Sequence, residues 1–248
     1  MPTPFLFAGL FPEQSVFHGV FARHGGSSAP PYDALNVSFG VGDDPQSVRA
    51  NRARIKETIG ADILVSGCQV HGSAIHVITE KPDNDEEVPD CDAFLTDIAG
   101  IGLMVQQADC QAIMLHDPCR MVVANIHNGW RGSVAGIIGE TISAMQHYFG
   151  CRPADLLAAI SPSLGPCCAE FIHYERELPA AFHPFQHRDA HFDFWEISRM
   201  QLMASGMRPD SIRCADRCTA CDPSWFSYRR EKQTGRFCSI IGLRKLSH

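Results

Sequence analysis

Between residues 102 and 126 the chain carries three apolar runs, each long enough for a strand and too short for a stable helix. Residues 102–107 lead into Ala108-Asp109-Cys110, residues 112–116 return to the turn pair Asp117-Pro118, and residues 121–126 run up to His127. Runs this closely spaced predict a tight antiparallel meander. The separation of 17 residues (127 − 110) is that of two strands and a turn, so Cys110 and His127 are expected at one sheet edge. A second histidine comes from Gln69-Val70-His71-Gly72, which opens another strand-like run through Ile75, Val77 and Ile78. One thiolate with two imidazoles is the ligand set of an open zinc site, whose fourth position is left for chemistry.

A length of 248 residues with 45% hydrophobic content can bury a substantial core, and no Ser/Gly-rich linker or charge block divides it, so one domain over 1–248 is expected. A net charge of −7 and a pI near 5.9, with lysines and arginines scattered, argue against nucleic-acid binding and for a small-molecule partner. The opening MPTPFLFAGLF lacks a basic region, and the apolar run 99–105 is far below the roughly 20 residues that span a bilayer. A cytoplasmic protein without membrane contact is the reading. In such a chain, eleven cysteines are expected as thiols, with a few given to metal or catalysis.

Asp44 as cap, Pro45 at the first helical position, Val48, Ile55 and Ile59 on one face and Gly60 at the end predict a helix with Asn51 and Arg52 on its polar face. A second helix is predicted over 133–149, ended by Gly150, so that its free amides face the loop holding His127 and Arg131. Residues 156–160 read as a buried strand, 195–205 as a helix and 237–243 as a final strand, while the acidic stretch 82–90 reads as a solvated loop. Irregular interleaving of this kind predicts an α+β fold, with mixed sheets forming a sandwich flanked by helices.

Around the three ligands, Asp109 is a candidate to orient an imidazole, to hold the Cys110 loop or to carry a proton in catalysis. Arg131 is a candidate clamp for phosphate or carboxylate, and Trp130 a packing residue. Cys214, Cys218, Cys221 and Cys238 are a competing set for a structural zinc, on the knuckle spacing of Cys218 and Cys221, whereas adjacent Cys167 and Cys168 read as structural thiols.

The segments ARHGGSS (22–28), LNVSFGVGDDPQSVRANR (35–52), QVHG, ADC, HNGWRG and FSYRREKQTGR (226–236) keep order and spacing and resemble the bacterial laccase-domain family. Its members are described as polyphenol oxidases, purine nucleoside phosphorylases and peptidoglycan editing factors. The resemblance runs over about 17–243 and implies zinc on His71, Cys110 and His127, with copper as the alternative ion. It also implies phosphorolysis of purine nucleosides such as adenosine, inosine and methylthioadenosine, adenosine deamination, and a monomer or weak homodimer. Arg23, Asn36 and Arg52 match polar positions expected to line the nucleoside and phosphate pocket. The chain departs from the family pattern at Gln107, at Ser161 within SPSLG, and at Ala169, where a tyrosine is usual; these are expected to reshape the pocket.

Three rivals remain open on the residues alone. Cys110 with a histidine base is the minimum kit of a thiol hydrolase, here an amidase acting on cell-wall precursor peptides. A copper polyphenol oxidase needs more histidine ligands than one three-residue site supplies. A binding protein with a structural zinc would unfold on metal loss.

Overall fold

Residues 2–245 are described by the computed structural model. The chain begins with β1 (Val16–Phe21), α1 (Pro45–Ile59), β2 (Ile63–Gly67), β3 (Ile75–Ile78), β4 (Glu86–Val88), β5 (Ala93–Thr96) and β6 (Ile101–Gln107). It continues through β7 (Gln111–Asp117), β8 (Val122–Asn128), α2 (Trp130–Ala135), α3 (Ile137–Phe149) and β9 (Leu157–Ile160). The last part holds α4 (Tyr174–Glu177), β10 (Gln186–Arg188), β11 (His191–Phe192), α5 (Phe194–Ala204), β12 (Ile212–Cys214), α6 (Tyr228–Glu231) and β13 (Phe237–Leu243).

Two mixed sheets face each other. One has the order β1-β13-β6-β2-β4 and the other β12-β9-β7-β8-β5-β3. Strand alternation assigns the layers, because neighbouring side chains leave a strand on opposite faces. Leu103 of β6 joins Met114 of β7 and Val123 of β8 in the cluster between the sheets. Ile113, Leu115, Ala124 and Ile126 point the other way and pack on Ile138, Ile142 and Met145 of α3 and Leu202 of α5. Met104 and Ile240 face outward from the first sheet onto Ile55 and Ile59 of α1. The result is four layers, helix, sheet, sheet and helix, which is the expected α+β sandwich. Asn125, fully buried, ties the two sheets by donating to the carbonyls of Leu103 at 2.8 Å and Ser239 at 3.0 Å. Burial of each large side chain contributes roughly 2 kcal/mol.

Helix α1 forms for the reasons its sequence states. Asp44 accepts from the amides of Gln46 and Ser47, and Gly60 closes the helix at φ 75. Its Asn51 and Arg52 are not solvated, which corrects the polar-face expectation. Asn51 donates to Ser28 Oγ and to the carbonyls of Ala34 and Asn36, so this face anchors the 28–36 loop rather than meeting water.

Three further expectations are corrected. The run 102–112 is not the first turn of a meander: β6 pairs with β13 and β2, while β7 lies in the other sheet, so the chain crosses between layers at Ala108-Asp109-Cys110. Only β7 and β8 form the hairpin, with Ala112 opposite His127, and this pairing still brings Cys110 and His127 to one end. The second helix starts earlier and is broken, because Gly136 at φ 78 closes α2 before α3 begins. Within the acidic stretch, β4 pairs in parallel with β2.

Candidate functional site

The hairpin end, the loop before β3 and the crossing after β6 meet at a cleft of about 840 Å³. His71, Cys110 and His127 all line it, and one ligand atom from each lies within 4.8 Å of the others. The two imidazoles stand edge to face with ring centroids 4.8 Å apart. His127 is buried, Cys110 half-buried and His71 exposed, so the trio is enclosed on one side and open to the cleft on the other.

Their positions are fixed by a carboxylate that sequence reading missed. Asp92, fully buried, holds His127 Nδ1 at 2.7 Å and accepts the amides of His71 at 3.0 Å and Gly72 at 2.9 Å. One carboxylate thus sets both the ring of His127 and the turn that carries His71, which has φ 61. Burial alone would raise the Asp92 carboxyl, but His127 and the three amides from Val70 to Gly72 hold it below the usual range. Only its place one residue before β5, whose first residue Ala93 pairs with Ile126 of β8 so that Asp92 falls beside His127, gives it this role, and that register is a tertiary property.

Asp109 holds the Cys110 loop and does not touch an imidazole. It sits at φ 91 and is secured by Thr219 Oγ1 and Ser227 Oγ, each at 2.7 Å, and by the amide of Arg229 at 2.6 Å. A residue held at positive φ by three donors is a stored constraint at a functional loop. Cys110 and His127 ionise each other. Burial would raise the thiol, yet the His127 charge and hydrogen bonds from both imidazoles bring it down to about 6. Burial would lower His127, yet the Cys110 charge and Asp92 carry it up to about 9.

The donor set fits a metal ion. A thiolate and two imidazoles on one side of an open cleft is a three-ligand arrangement with a free position. The backbone makes room as well: a Cβ on Gly129 would stand 3.0 Å from the His71 ring and 3.1 Å from Cys110 Sγ, filling the space beside the ligands. Among the described residues, the only other group of three or more metal-type donors in reach of one another is sulfur alone. Among the described residues no histidine-rich cluster accompanies it.

The expected pocket residues Arg131, Arg23, Asn36 and Arg52 lie outside the cleft lining. Arg131 is exposed, stacks on the Trp130 ring at 4.3 Å and stands outside the cleft lining. Arg23 pairs with Glu231 at 2.6 Å and lies over Phe226, outside the lining. Asn36 is fully buried, bonding Asp43 at 2.8 Å and the Arg236 amide at 2.8 Å. Arg52 contributes indirectly, holding Glu87 at 2.9 Å where that carboxylate lines the cleft beside Gln106. The guanidinium-bearing residues that do line it are Arg229 and Arg236, and the Arg236 charge lies in the field of Cys110 and Asp109. Their signal was the FSYRREKQTGR segment itself, whose arginines could not be told apart without the fold.

Two of the three departures lie behind the site. Gln107 donates to the Cys110 carbonyl at 2.9 Å and to Ser161 Oγ at 2.7 Å, and Ser161 Oγ accepts the Ala112 amide at 2.9 Å. They are partners in one buried contact, and of the three only Ala169 lines the cleft. The expected cysteine set is also corrected. Cys238 is buried against α1 and Cys214 packs beside α3, in different layers, whereas Cys218 and Cys221 meet Cys167 and Cys168.

Fold and site together define an α+β protein of two helix-covered mixed sheets with a His-Cys-His cleft at one end. The chain belongs to the family described as multi-copper polyphenol oxidoreductase laccase, which matches residues 17–244. It is 33% identical over 256 residues to a protein named purine nucleoside phosphorylase YlmD of Geobacillus stearothermophilus, covering 96% of this chain and 93% of that one. It is 34% identical over 235 residues to purine nucleoside phosphorylase YfiH of Escherichia coli, covering 89% and 91%. The solved structure of hypothetical protein YfiH of Bacillus licheniformis superposes with a TM-score of 0.89 at 29% identity, over 98% of this chain and 97% of that one. The crystal structure of the Geobacillus YlmD gives 0.85 at 32% identity, over 93% and 92%. No helix among the described residues is long and apolar enough to cross a membrane.

Proposed function

We propose that this chain is a zinc-dependent purine nucleoside phosphorylase, acting on adenosine, inosine and methylthioadenosine and also deaminating adenosine. In this reading residues 1–248 work as one cytoplasmic laccase-like domain, a monomer or weak homodimer. The observation that supports it is the meeting, in one cleft, of the His71–Cys110–His127 donor set with Arg229, Arg236 and an aromatic wall. The names of the relatives point the same way.

His71, Cys110 and His127 would hold the ion, which supplies Lewis-acid charge at the cleft floor. Trp130, Phe171 and Phe194 offer an apolar aromatic wall against which a purine can pack. Glu87, fixed by Arg52 and Gln106, is placed to bind ribose hydroxyls. Arg229 and Arg236 take the role expected of Arg131: they neutralise phosphate and orient one of its oxygens toward the anomeric carbon. That oxygen forms the new bond as the carbon–nitrogen bond breaks, and the purine leaves carrying the proton that the attacking hydrogen phosphate gives up. Asp109, with its carboxylate committed to Thr219, Ser227 and Arg229, positions Cys110 and does not carry protons. Replacing Arg236 by Ala is expected to raise the phosphate KM about 10- to 100-fold, as loss of a charged hydrogen-bond partner does.

One observation favours a second reading. Cys110, His127 and Asp92 also form a thiol, imidazole and carboxylate series, the arrangement of a cysteine amidase acting on peptidoglycan precursor peptides. Product chromatography separates the two, using metal-quantified protein with adenosine and inosine, with and without phosphate, beside Cys110→Ala. Phosphate-dependent release of free base, lost in the variant, supports the phosphorylase, and inosine from adenosine adds the deaminase. No nucleoside turnover, with peptide cleavage that zinc inhibits and a chelator restores, overturns it for the amidase.

A further inference from the structure

Four sulfurs converge outside the cleft. Cys167 and Cys168 lie on the loop after β9, Cys218 and Cys221 on the loop after β12, and the four Sγ atoms all stand within 4.8 Å of one another. Cys221 Sγ is 3.6 Å from that of Cys167 and 3.5 Å from that of Cys168. A tetrahedral ion with metal–sulfur bonds of about 2.3 Å keeps its sulfurs about 3.8 Å apart, so the spacing is that of a four-thiolate shell.

The surrounding backbone is shaped to the cluster. The Gly165 amide donates to Cys218 Sγ at 3.3 Å, a contact that favours a thiolate. A Cβ on Gly165 would press to 3.0 Å from Cys218 Cβ and 2.8 Å from the Trp195 ring. The loops are already in register without a cross-link: Ser163 donates to the Arg217 carbonyl at 3.1 Å and Thr219 to the Ser163 carbonyl at 3.0 Å. Cys167 and Cys221 are exposed, so an ion can enter from solvent.

We infer that Cys167, Cys168, Cys218 and Cys221 form a second metal site, a closed tetrathiolate centre for a zinc-class divalent ion. Binding exchanges thiol protons for metal–sulfur bonds, with the protons released to solvent and no change of oxidation state. All four positions are filled by protein, so the centre is structural. What it secures is the cleft wall: Thr219, between two of its ligands, holds Asp109 at 2.7 Å, and Ala169, next to Cys168, lines the cleft.

The test uses the full chain and does not read activity, so it stands or falls apart from the proposed reaction. Zinc-loaded wild-type protein is expected to carry two ions per chain by elemental analysis, Cys110→Ala one, and Cys110→Ala with Cys221→Ser none. Cobalt(II) added to Cys110→Ala is expected to give the intense sulfur-to-metal band of four thiolates. Should the variants fail to fold, cadmium-113 NMR of the wild-type protein supplies the readout, with one resonance in the four-sulfur range. The inference is overturned if Cys110→Ala folds but binds no ion, if Cys221→Ser keeps both ions, or if a peptide map without reductant finds these cysteines joined as disulfides.

Discussion

The described residues hold two clusters of metal-type donors, and they differ in what surrounds them. The His71–Cys110–His127 trio sits at a cleft, supported by Asp92 and left open on one side, whereas the four cysteines sit where two loops meet and leave no position free. The lesson is that ligand type says little about the use of a site. An incomplete ligand shell facing a cavity lined by arginines is suited to chemistry, and a complete one between loops is suited to holding them.

Cys110→Ala applies the hardest test to that contrast. It is expected to abolish turnover and to remove the cleft ion, while the thermal transition and the cysteine-cluster ion persist; calorimetry with metal analysis checks this. Titration next separates Cys110 of the cleft from Cys168 of the cysteine cluster. In metal-free protein, Cys110 is a thiolate above about 6 and loses its charge as pH falls through that value. Burial and the neighbouring cluster thiols push Cys168 up to about 11. Alkylation followed by peptide mass spectrometry is therefore expected to label Cys110 at neutral pH and Cys168 only in alkali. Asp92→Asn is expected to weaken cleft metal binding or activity by about 10- to 100-fold, the range for removing a carboxylate behind a ligand histidine, with the cysteine cluster unaffected. The smallest effect belongs to the link between them. Thr219→Val removes one hydrogen bond to Asp109 and is expected to cost about 1 kcal/mol in kcat/KM, a several-fold loss with metal content unchanged. Equal losses of both ions in any of these variants would break the distinction.

Much of this was legible in the sequence. The meeting of His71, Cys110 and His127, the capped helix α1, the sandwich and its α+β class could all be read from local signals: polar breaks after apolar runs, Asp44-Pro45 and Gly60 around a helical face, and strands of irregular spacing. What was hidden depends on which distant segments meet. An apolar run of strand length looks the same whether it turns back beside its neighbour or crosses to another sheet, so β6 was read as part of a meander. Asp92 carries no local mark of its role, since its partners lie 35 residues on at His127 and 21 residues back at His71. Arg131 and Arg236 differ only by tertiary placement, the first stacked on Trp130 in the open and the second at the cleft. The cysteine cluster mixed a correct pair, Cys218 and Cys221, with two wrong partners, because Cys214 and Cys238 are near in sequence while Cys167 and Cys168 are near in space.

The buried contact between Gln107 and Ser161 bears on how such a chain can drift. Gln107 Nε2 reaches both Ser161 Oγ and the Cys110 carbonyl, and Ser239 Oγ donates to its Oε1 at 2.6 Å. A change at either position alone leaves a polar atom stranded in the interior, a cost of about 1–3 kcal/mol. The two positions are therefore coupled through one contact, so the effect of a change at one depends on the residue at the other, and a double-mutant cycle at Gln107 and Ser161 is expected to show an interaction energy rather than simple addition.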